Sequence, residues 1–265
     1  MTLGIIGGCG PAAGAYFYTR LIEMTDARED SGHINVLLSG RADTPDRTAA
    51  LLCGGPSPLY ALTESARVLV QGGADLLILL CHTAHAYLPA LRAAVRVPIL
   101  DMVDITLRGA AARGVCRLGV RCTAGTQAAR LYDRAAEARG IAVVYPDAEN
   151  GRALQEAIYT YFKRGRSDGG AAIRNAALSL IRKGCDGISL SCTELSLPVA
   201  HAPAKMHVWQ AGERLAPIPV LDPFDLLLRR VISLFGKKIK AEEEMRCYAF
   251  GGSAAGAPRR PLAAR

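Results

Sequence analysis

Aromatic residues are scarce in this chain of 265, making up 6% of it with a single tryptophan, while half of all residues are hydrophobic. A core short of rings must be filled by Ala, Val, Leu and Ile, the usual content of parallel strands covered by helices. Long apolar runs are missing as well, so nothing reads as a membrane span. The eight cysteines include no Cys-x-x-Cys pair, and no basic-then-apolar leader precedes the first strand-like segment. These absences argue against export and a disulfide framework, and predict a soluble, cytoplasmic protein with reduced thiols. Acidic charge is the smaller share of a formal net +8, but the excess is local. From Arg229 onward nine Lys/Arg face three acids, which leaves only +2 on the preceding 228 residues. With Gly, Ala, Ser and Pro filling 251–258, this basic end reads as a solvated, disordered tail, and neither nucleic acid nor membrane is an expected partner.

What is present is a repeat. Gly73-Ala74-Asp75-Leu76-Leu77-Ile78 leads to Cys81, and Gly184-Cys185-Asp186-Gly187-Ile188-Ser189 leads to Cys192. Downstream, Val97-Pro98-Ile99-Leu100-Asp101 reappears as Ile218-Pro219-Val220-Leu221-Asp222, and upstream Leu3-Gly4-Ile5 can be set against Leu118-Gly119-Val120. Matched blocks in the same order predict two similar halves. We read 1–100 as the first domain, with 222–236 returning to it, 101–221 as the second, and 237–265 as the tail. Length fits two modest domains.

Strand and helix patterns alternate along both halves. Strands are expected at Leu3–Ile6, Ile34–Leu38, the run ending at Cys81, Arg117–Arg121, Ile141–Tyr145 and Ile188–Ser191. Helices are expected at Ala12–Thr25, Ala61–Gln71, Gln127–Arg139 ending at Gly140, Leu154–Arg164 and Ala171–Lys183. The fold class is therefore α/β: two pseudo-symmetric domains, each a short parallel sheet flanked by helices, with the active site in the cleft between them. Ligands in such sheets bind beyond the carboxyl ends of strands, where both Cys81 and Cys192 fall. A thiolate forms more readily near a helix N-terminus. Two thiols on opposite faces of a carbon acid can remove a proton from one face and return one to the other, which is racemisation.

Other readings of the same residues are weaker. Gly7-Gly8-Cys9-Gly10 lacks the Gly-x-Gly-x-x-Gly spacing of a dinucleotide turn, and Asn35 is not the acidic ribose partner such a site needs. A zinc site built from Cys81, His82, His85 and Cys192 has no recognisable ligand spacing and would consume both thiols. Cys53, Cys116, Cys122, Cys185 and Cys247 read as small core filler. By default Arg47 and Lys163 are solvated surface residues.

The motifs also match a family. Cys81-His82-Thr83-Ala84-His85, Cys192-Thr193-Glu194, Gly7-Gly8-Cys9-Gly10-Pro11, Pro45-Asp46-Arg47-Thr48 and Thr123-Ala124-Gly125-Thr126 followed by Tyr132 together resemble the cofactor-independent aspartate/glutamate racemases, over about residues 3–228. The resemblance implies Cys81 and Cys192 as the two acid/base thiols, with no cofactor and no metal. It implies substrate contacts from Gly8, Arg47, His82, Thr83, Thr123, Thr126, Lys163 and Thr193, a small amino acid as the bound partner, and a homodimer. Arg47 and Lys163 would pair with the carboxylates of an acidic substrate, aspartate first and glutamate next. His85 either tunes the Cys81 thiol or packs its helix, and Glu194 is either an auxiliary or a helix-terminal carboxylate. The sequence departs from the family at Cys9 (usually Met), Gly14 (usually Thr), His82 (usually Asn), Ser191 (usually Gly) and Pro223 (usually Ser or Thr). Alternatives in other classes are a cysteine-dependent isomerase or decarboxylase like maleate isomerase, and an inactive racemase-like amino-acid sensor.

Overall fold

The computed structural model describes residues 1–197 and 218–244. It contains two four-stranded parallel sheets. The first holds β1 (Thr2–Ile6), β2 (Asn35–Ser39), β3 (Leu76–Leu79) and β4 (Ile99–Leu100) in the order β2-β1-β3-β4. The second holds β5 (Arg117–Cys122), β6 (Ala142–Val144), β7 (Gly187–Ser191) and β8 (Val220–Leu221) in the order β6-β5-β7-β8. The same strand order occurs twice, and the strands of both sheets pair in parallel.

Burial on both faces explains the unbroken apolar runs. β3 (Leu-Leu-Ile-Leu) and β7 (Gly-Ile-Ser-Leu-Ser) are buried at every position, as central strands under helices on both sides must be. The repeated Pro-Ile-Leu-Asp and Pro-Val-Leu-Asp blocks have one local purpose. After β4, the Asp101 carboxylate accepts the Val103 and Asp104 N–H groups and caps the helix Met102–Ala111; after β8, Asp222 accepts the Phe224 N–H and caps the helix Pro223–Leu234. Each short edge strand thus hands directly to a helix. The helix 223–234 buries Phe224, Leu227, Leu228, Val231 and Ile232 in one cluster with Leu3, Ile5, Phe17 and Ile78 of the first half.

Several elements differ from the sequence reading. The helix expected over Gln127–Arg139 is two short ones, Ala124–Ala128 and Leu131–Glu137, separated by Arg130 in the left-handed region at φ 51°. Its first piece is held against the other half, whereas the second turns inward to bury Tyr132 and Ala136 beneath the second sheet. One straight axis cannot satisfy both. The helix expected from Leu154 starts earlier, at Ala148, because Asp147 caps it by accepting the Asn150 N–H at 2.9 Å. It then widens into a π turn at Ala157–Tyr161 and tightens into a 3-10 turn at Phe162–Arg164.

Residues 237–244, read from sequence as the start of the tail, are packed against the fold. Lys238 O accepts the Asp26 N–H and Met24 O accepts the Lys240 N–H, both at 2.9 Å, and Arg20 binds the Glu243 carboxylate at 2.8 Å. Residues 237–244 therefore pack against the end of the helix Pro11–Met24; 245–265, with Cys247, lie outside the described residues. Cys53 and Cys116 are exposed rather than core filler, whereas Cys122 and Cys185 are buried, and all seven described cysteines are free. Among the described residues no helix is long and apolar enough to cross a membrane.

Candidate active site

Register brings the chemistry together. β1 and β3 lie side by side with Ile6 opposite Leu79, so the loops after both strands leave the sheet at one edge. β5 and β7 do the same in the second half, with Cys122 opposite Ser191. The two edges meet at a small buried pocket lined by Cys9, Arg47, Thr48, Cys81, His82 and Thr83 from the first half and Thr123, Tyr159, Lys163, Cys192, Thr193 and Glu194 from the second. Both sequence-predicted thiols lie on it, with Cys81 7% and Cys192 6% exposed.

The two thiols have opposite surroundings. A hydrogen bond from the Cys9 thiol, the Arg47 charge and the Ala84 N–H together outweigh burial and the Glu194 charge, holding Cys81 below the ordinary thiol range. Burial first, then the Glu194 carboxylate, push Cys192 well above it. The Cys192 Sγ–H donates to Glu194 Oε2 at 3.0 Å, and the Thr193 hydroxyl donates to the same oxygen at 3.1 Å. The pocket therefore holds one sulfur biased toward thiolate and one biased toward thiol. Glu194 Oε1 has no hydrogen-bond partner and lies against Gly10, where a Cβ would come within 2.5 Å of it.

Hydroxyls stitch the halves together. Thr83, Thr123 and Thr126 form a closed triangle of oxygens 2.8, 3.0 and 3.1 Å apart. Thr123 also caps Ala124–Ala128, accepting the Thr126 N–H. The close approach needs Gly125, because a Cβ there would sit 2.8 Å from Thr48 Oγ1 and 2.9 Å from Thr83 Cγ2.

Cations flank the pocket. Arg47 is buried, and its terminal nitrogens donate to the carbonyls of Thr44, Pro45 and Cys9, leaving Nε without a hydrogen-bond partner. Lys163 Nζ lies 3.8 Å from Asp46 Oδ2 and 4.2 Å from the centre of the Tyr159 ring. Tyr159 donates its hydroxyl hydrogen to Asp46, at 3.0 Å from Oδ2. Burial alone would raise the Asp46 carboxyl, but the Ala49 N–H, the Tyr159 hydroxyl and the Lys163 charge outweigh it and hold it low.

A scan of family models matches the Asp/Glu/Hydantoin racemase family over residues 6–231. The chain belongs to that family. It is 22% identical to the broad specificity amino-acid racemase RacX of Bacillus subtilis (strain 168) over 247 residues, covering 88% of this chain and 97% of that protein. Among solved structures, the Picrophilus torridus aspartate racemase superimposes with a TM-score of 0.74 at 26% identity, over 92% of this chain and 97% of that one. The glutamate racemase of Campylobacter jejuni subsp. jejuni shares the fold, with a TM-score of 0.57 at 18% identity over 91% and 88% of the two chains.

Against this racemase fold, three of the residues singled out from sequence do not line the pocket. Gly8 supplies a turn: its φ is +81°, and a Cβ would strike the Arg41 backbone. Thr126 stands behind Thr83 and Thr123. His85 has a positional task, since its Nδ1 lies 2.8 Å from the Cys81 carbonyl oxygen while its Nε2 accepts the Met102 N–H at 3.1 Å. An accepting Nε2 requires that Nδ1 carry the hydrogen, so His85 is a neutral strut between the Cys81 backbone and the helix starting at Met102.

His82 does line the pocket. It is buried with neither ring nitrogen partnered, stacks on Tyr132 at 6.1 Å, and is kept neutral by burial. Sequence reasoning passed over Cys9, Thr48 and Tyr159 as site residues. Cys9 carried a signal, a third cysteine at a strand end, but was read only as part of a glycine turn. Tyr159 carried none, because its direction depends on the π turn.

Proposed function

We propose that this family member is an amino-acid racemase that inverts the α-carbon of an acidic amino acid, aspartate first and glutamate next, by two-thiol acid/base chemistry without a cofactor. The observation that carries the reading is the pair of thiols, at matching positions of the two half-folds, on one buried pocket, with neighbours that favour thiolate at Cys81 and thiol at Cys192. The Cys81 thiolate takes the α-proton from one face of the substrate. The electron pair left on the α-carbon delocalises into the α-carboxylate, and the Cys192 S–H then delivers its proton to the opposite face. The products are the other enantiomer, a Cys81 thiol and a Cys192 thiolate, the arrangement from which the reverse reaction starts. One proton is shared by the pair throughout.

Charge growing on the carboxylate is met by hydrogen-bond donors, for which the Thr83 and Thr123 hydroxyls, turned from each other toward the substrate, and neighbouring N–H groups on the pocket are the candidates. Arg47 Nε and Lys163 are the cationic anchors for the second carboxylate. Neutral His82 offers a hydrogen bond without adding charge, and Glu194 keeps Cys192 protonated and suits the α-ammonium group. A homodimer acting in the cytoplasm completes the proposal on the family resemblance, and light scattering of the purified chain tests the assembly.

A second reading has its own support. Two of the Arg47 nitrogens are already engaged by backbone carbonyls and Lys163 faces Asp46, so the anchors are partly spent, which suits a racemase accepting neutral amino acids. Incubation of the enzyme in D2O with each L-amino acid, following deuterium at Cα and formation of the D-enantiomer, decides between them. Turnover confined to aspartate and glutamate supports the first, and comparable turnover of neutral amino acids supports the second. No exchange with any amino acid overturns both in favour of a sensor, and a covalent Cys81 adduct with an unsaturated dicarboxylate favours the isomerase branch.

A further inference from the structure

Glu194 stands where the two halves face each other across the pocket. It sits on the 3-10 turn Thr193–Ser196 that follows β7, is 4% exposed, and is the one carboxylate among the described residues lining the pocket. Its two oxygens are used unequally. Oε2 accepts both the Cys192 S–H at 3.0 Å and the Thr193 hydroxyl at 3.1 Å, whereas Oε1 has no hydrogen-bond partner among the described residues. Gly10 of the first half leaves the space in which Oε1 lies, since a Cβ there would come within 2.5 Å of it. Neither cation of the pocket pairs with it: Arg47 donates to the Thr44, Pro45 and Cys9 carbonyls, and Lys163 lies 3.8 Å from Asp46. A buried carboxylate oxygen without a donor is costly, so this one is an acceptor for a donor that arrives with the ligand.

A substrate whose α-carbon lies against the Cys192 sulfur carries its amino nitrogen one bond away, within reach of a carboxylate that already touches that sulfur. We propose that the substrate's α-ammonium group pairs with Glu194 Oε1 and loosens the hold of Oε2 on the Cys192 proton, so that Cys192 becomes a donor only when a free amino acid is bound. The inference rests on the reading of Cys192 as the acid of a racemase. In the empty pocket the S–H is directed at Glu194, and a thiolate left there would face an unscreened negative charge. The ammonium supplies the missing positive charge. Its N–H hydrogens bond to Oε1, the pull of the carboxylate on the S–H falls, and the proton passes from Cys192 to the α-carbon while the sulfur keeps the bonding electron pair. No atom is exchanged with the ammonium, and no further reactant is needed. The substrate class follows: α-amino acids qualify whatever their side chain, whereas α-hydroxy acids and N-acylated amino acids carry no cation beside the α-carbon and leave Glu194 unscreened.

The test uses ligands that bind without reacting, because a methyl group replaces the α-hydrogen: α-methylaspartate against α-methylmalate, and α-aminoisobutyrate against α-hydroxyisobutyrate. Each pair differs only in the amino group. The S–H stretching band of Cys192, identified by its loss in Cys192→Ala, is followed by infrared difference spectroscopy, and affinity by calorimetry. The amino member of a pair binds about tenfold tighter or more than its hydroxy counterpart and moves the band to higher frequency, as a weakened hydrogen bond does; the hydroxy member leaves it in place. In Glu194→Gln the band starts higher and stays there, and the affinity ratio falls to about one. Gly10→Ala, whose methyl group displaces Oε1, loses the ratio with the carboxylate still present. Thermal unfolding shows whether each variant is folded, and the wild-type comparison needs neither. An amino ligand that binds without moving the band, a hydroxy ligand that moves it equally, or binding of neither amino ligand overturns the proposal. A shift with α-aminoisobutyrate alone keeps it and refutes the acidic preference. A shift in a protein that racemises nothing leaves Glu194 in its role and refutes only the function; racemisation with a stationary band does the reverse.

Discussion

The first half-fold and the second share a strand order, a capped helix after the last strand and a cysteine beyond the third strand, yet their thiols have different surroundings. Cys81 shares its side of the pocket with a second thiol and a guanidinium; Cys192 sits against a carboxylate. A repeated backbone thus supplies two equivalent positions, and neighbours arriving from other loops make them chemically opposite. For a reaction that must take a proton on one side and give one on the other, that difference matters as much as the symmetry.

The largest effect comes from deleting either member of the pair. Cys81→Ala and Cys192→Ala each lose racemisation by about 10²–10⁴-fold or more, the range of general acid–base contributions. Each retains washout of the α-proton from one enantiomer only, because the surviving sulfur still reaches its own face. Solvent-deuterium exchange on both enantiomers reads this out, and wild-type behaviour in either variant would remove that thiol from the chemistry.

Glu194→Gln makes the halves more alike. The carboxylate disfavours thiolate at both sulfurs, so neutralising it lowers both titrations, and Cys192, which donates to it directly at 3.0 Å, moves further. Turnover needs one proton on the pair, so kcat/KM follows a bell whose acid limb is Cys81 ionising and whose alkaline limb is Cys192 ionising. Both limbs shift to lower pH and the alkaline limb shifts more, costing about tenfold at a pH one unit above the new limb. A stationary alkaline limb in the measured pH profile would mean that Glu194 does not set the Cys192 proton.

Gly125→Ala tests the seam. Its methyl group would fall 2.8–2.9 Å from Thr48 and Thr83 and push the halves apart, destabilising the fold by about 1–3 kcal/mol in denaturant unfolding. Gly151→Ala is the contrast. It lies inside Ala148–Glu156 with nothing within 4 Å of a new Cβ, and gains about 0.5–1 kcal/mol by the same measurement.

Local pattern made much of this molecule legible from its sequence. Apolar runs at β1, β3 and β7, the Pro-x-Leu-Asp blocks and the repeated cysteines announced two similar α/β halves, because burial and capping act over a few residues. Patterns that depend on partners elsewhere were misread. Arg130 breaks a helix whose two pieces serve different packing surfaces, the π turn aims Tyr159 and Lys163 across the pocket, and residues 237–244 are tied down by the helix Pro11–Met24.

By itself, then, the sequence determined the fold class, the internal repeat and the placement of Cys81 and Cys192 at strand ends, since period, caps and turns are written in neighbouring residues. The tertiary structure alone decided which sulfur its neighbours bias toward thiolate, that Cys9 lines the same pocket as Cys81, that Glu194 faces Cys192 from two positions away, and that His85 is a strut between Cys81 and Met102. Electrostatics and hydrogen bonding in a buried pocket act over a few ångströms between loops far apart in the chain, and that proximity exists only once both sheets have formed.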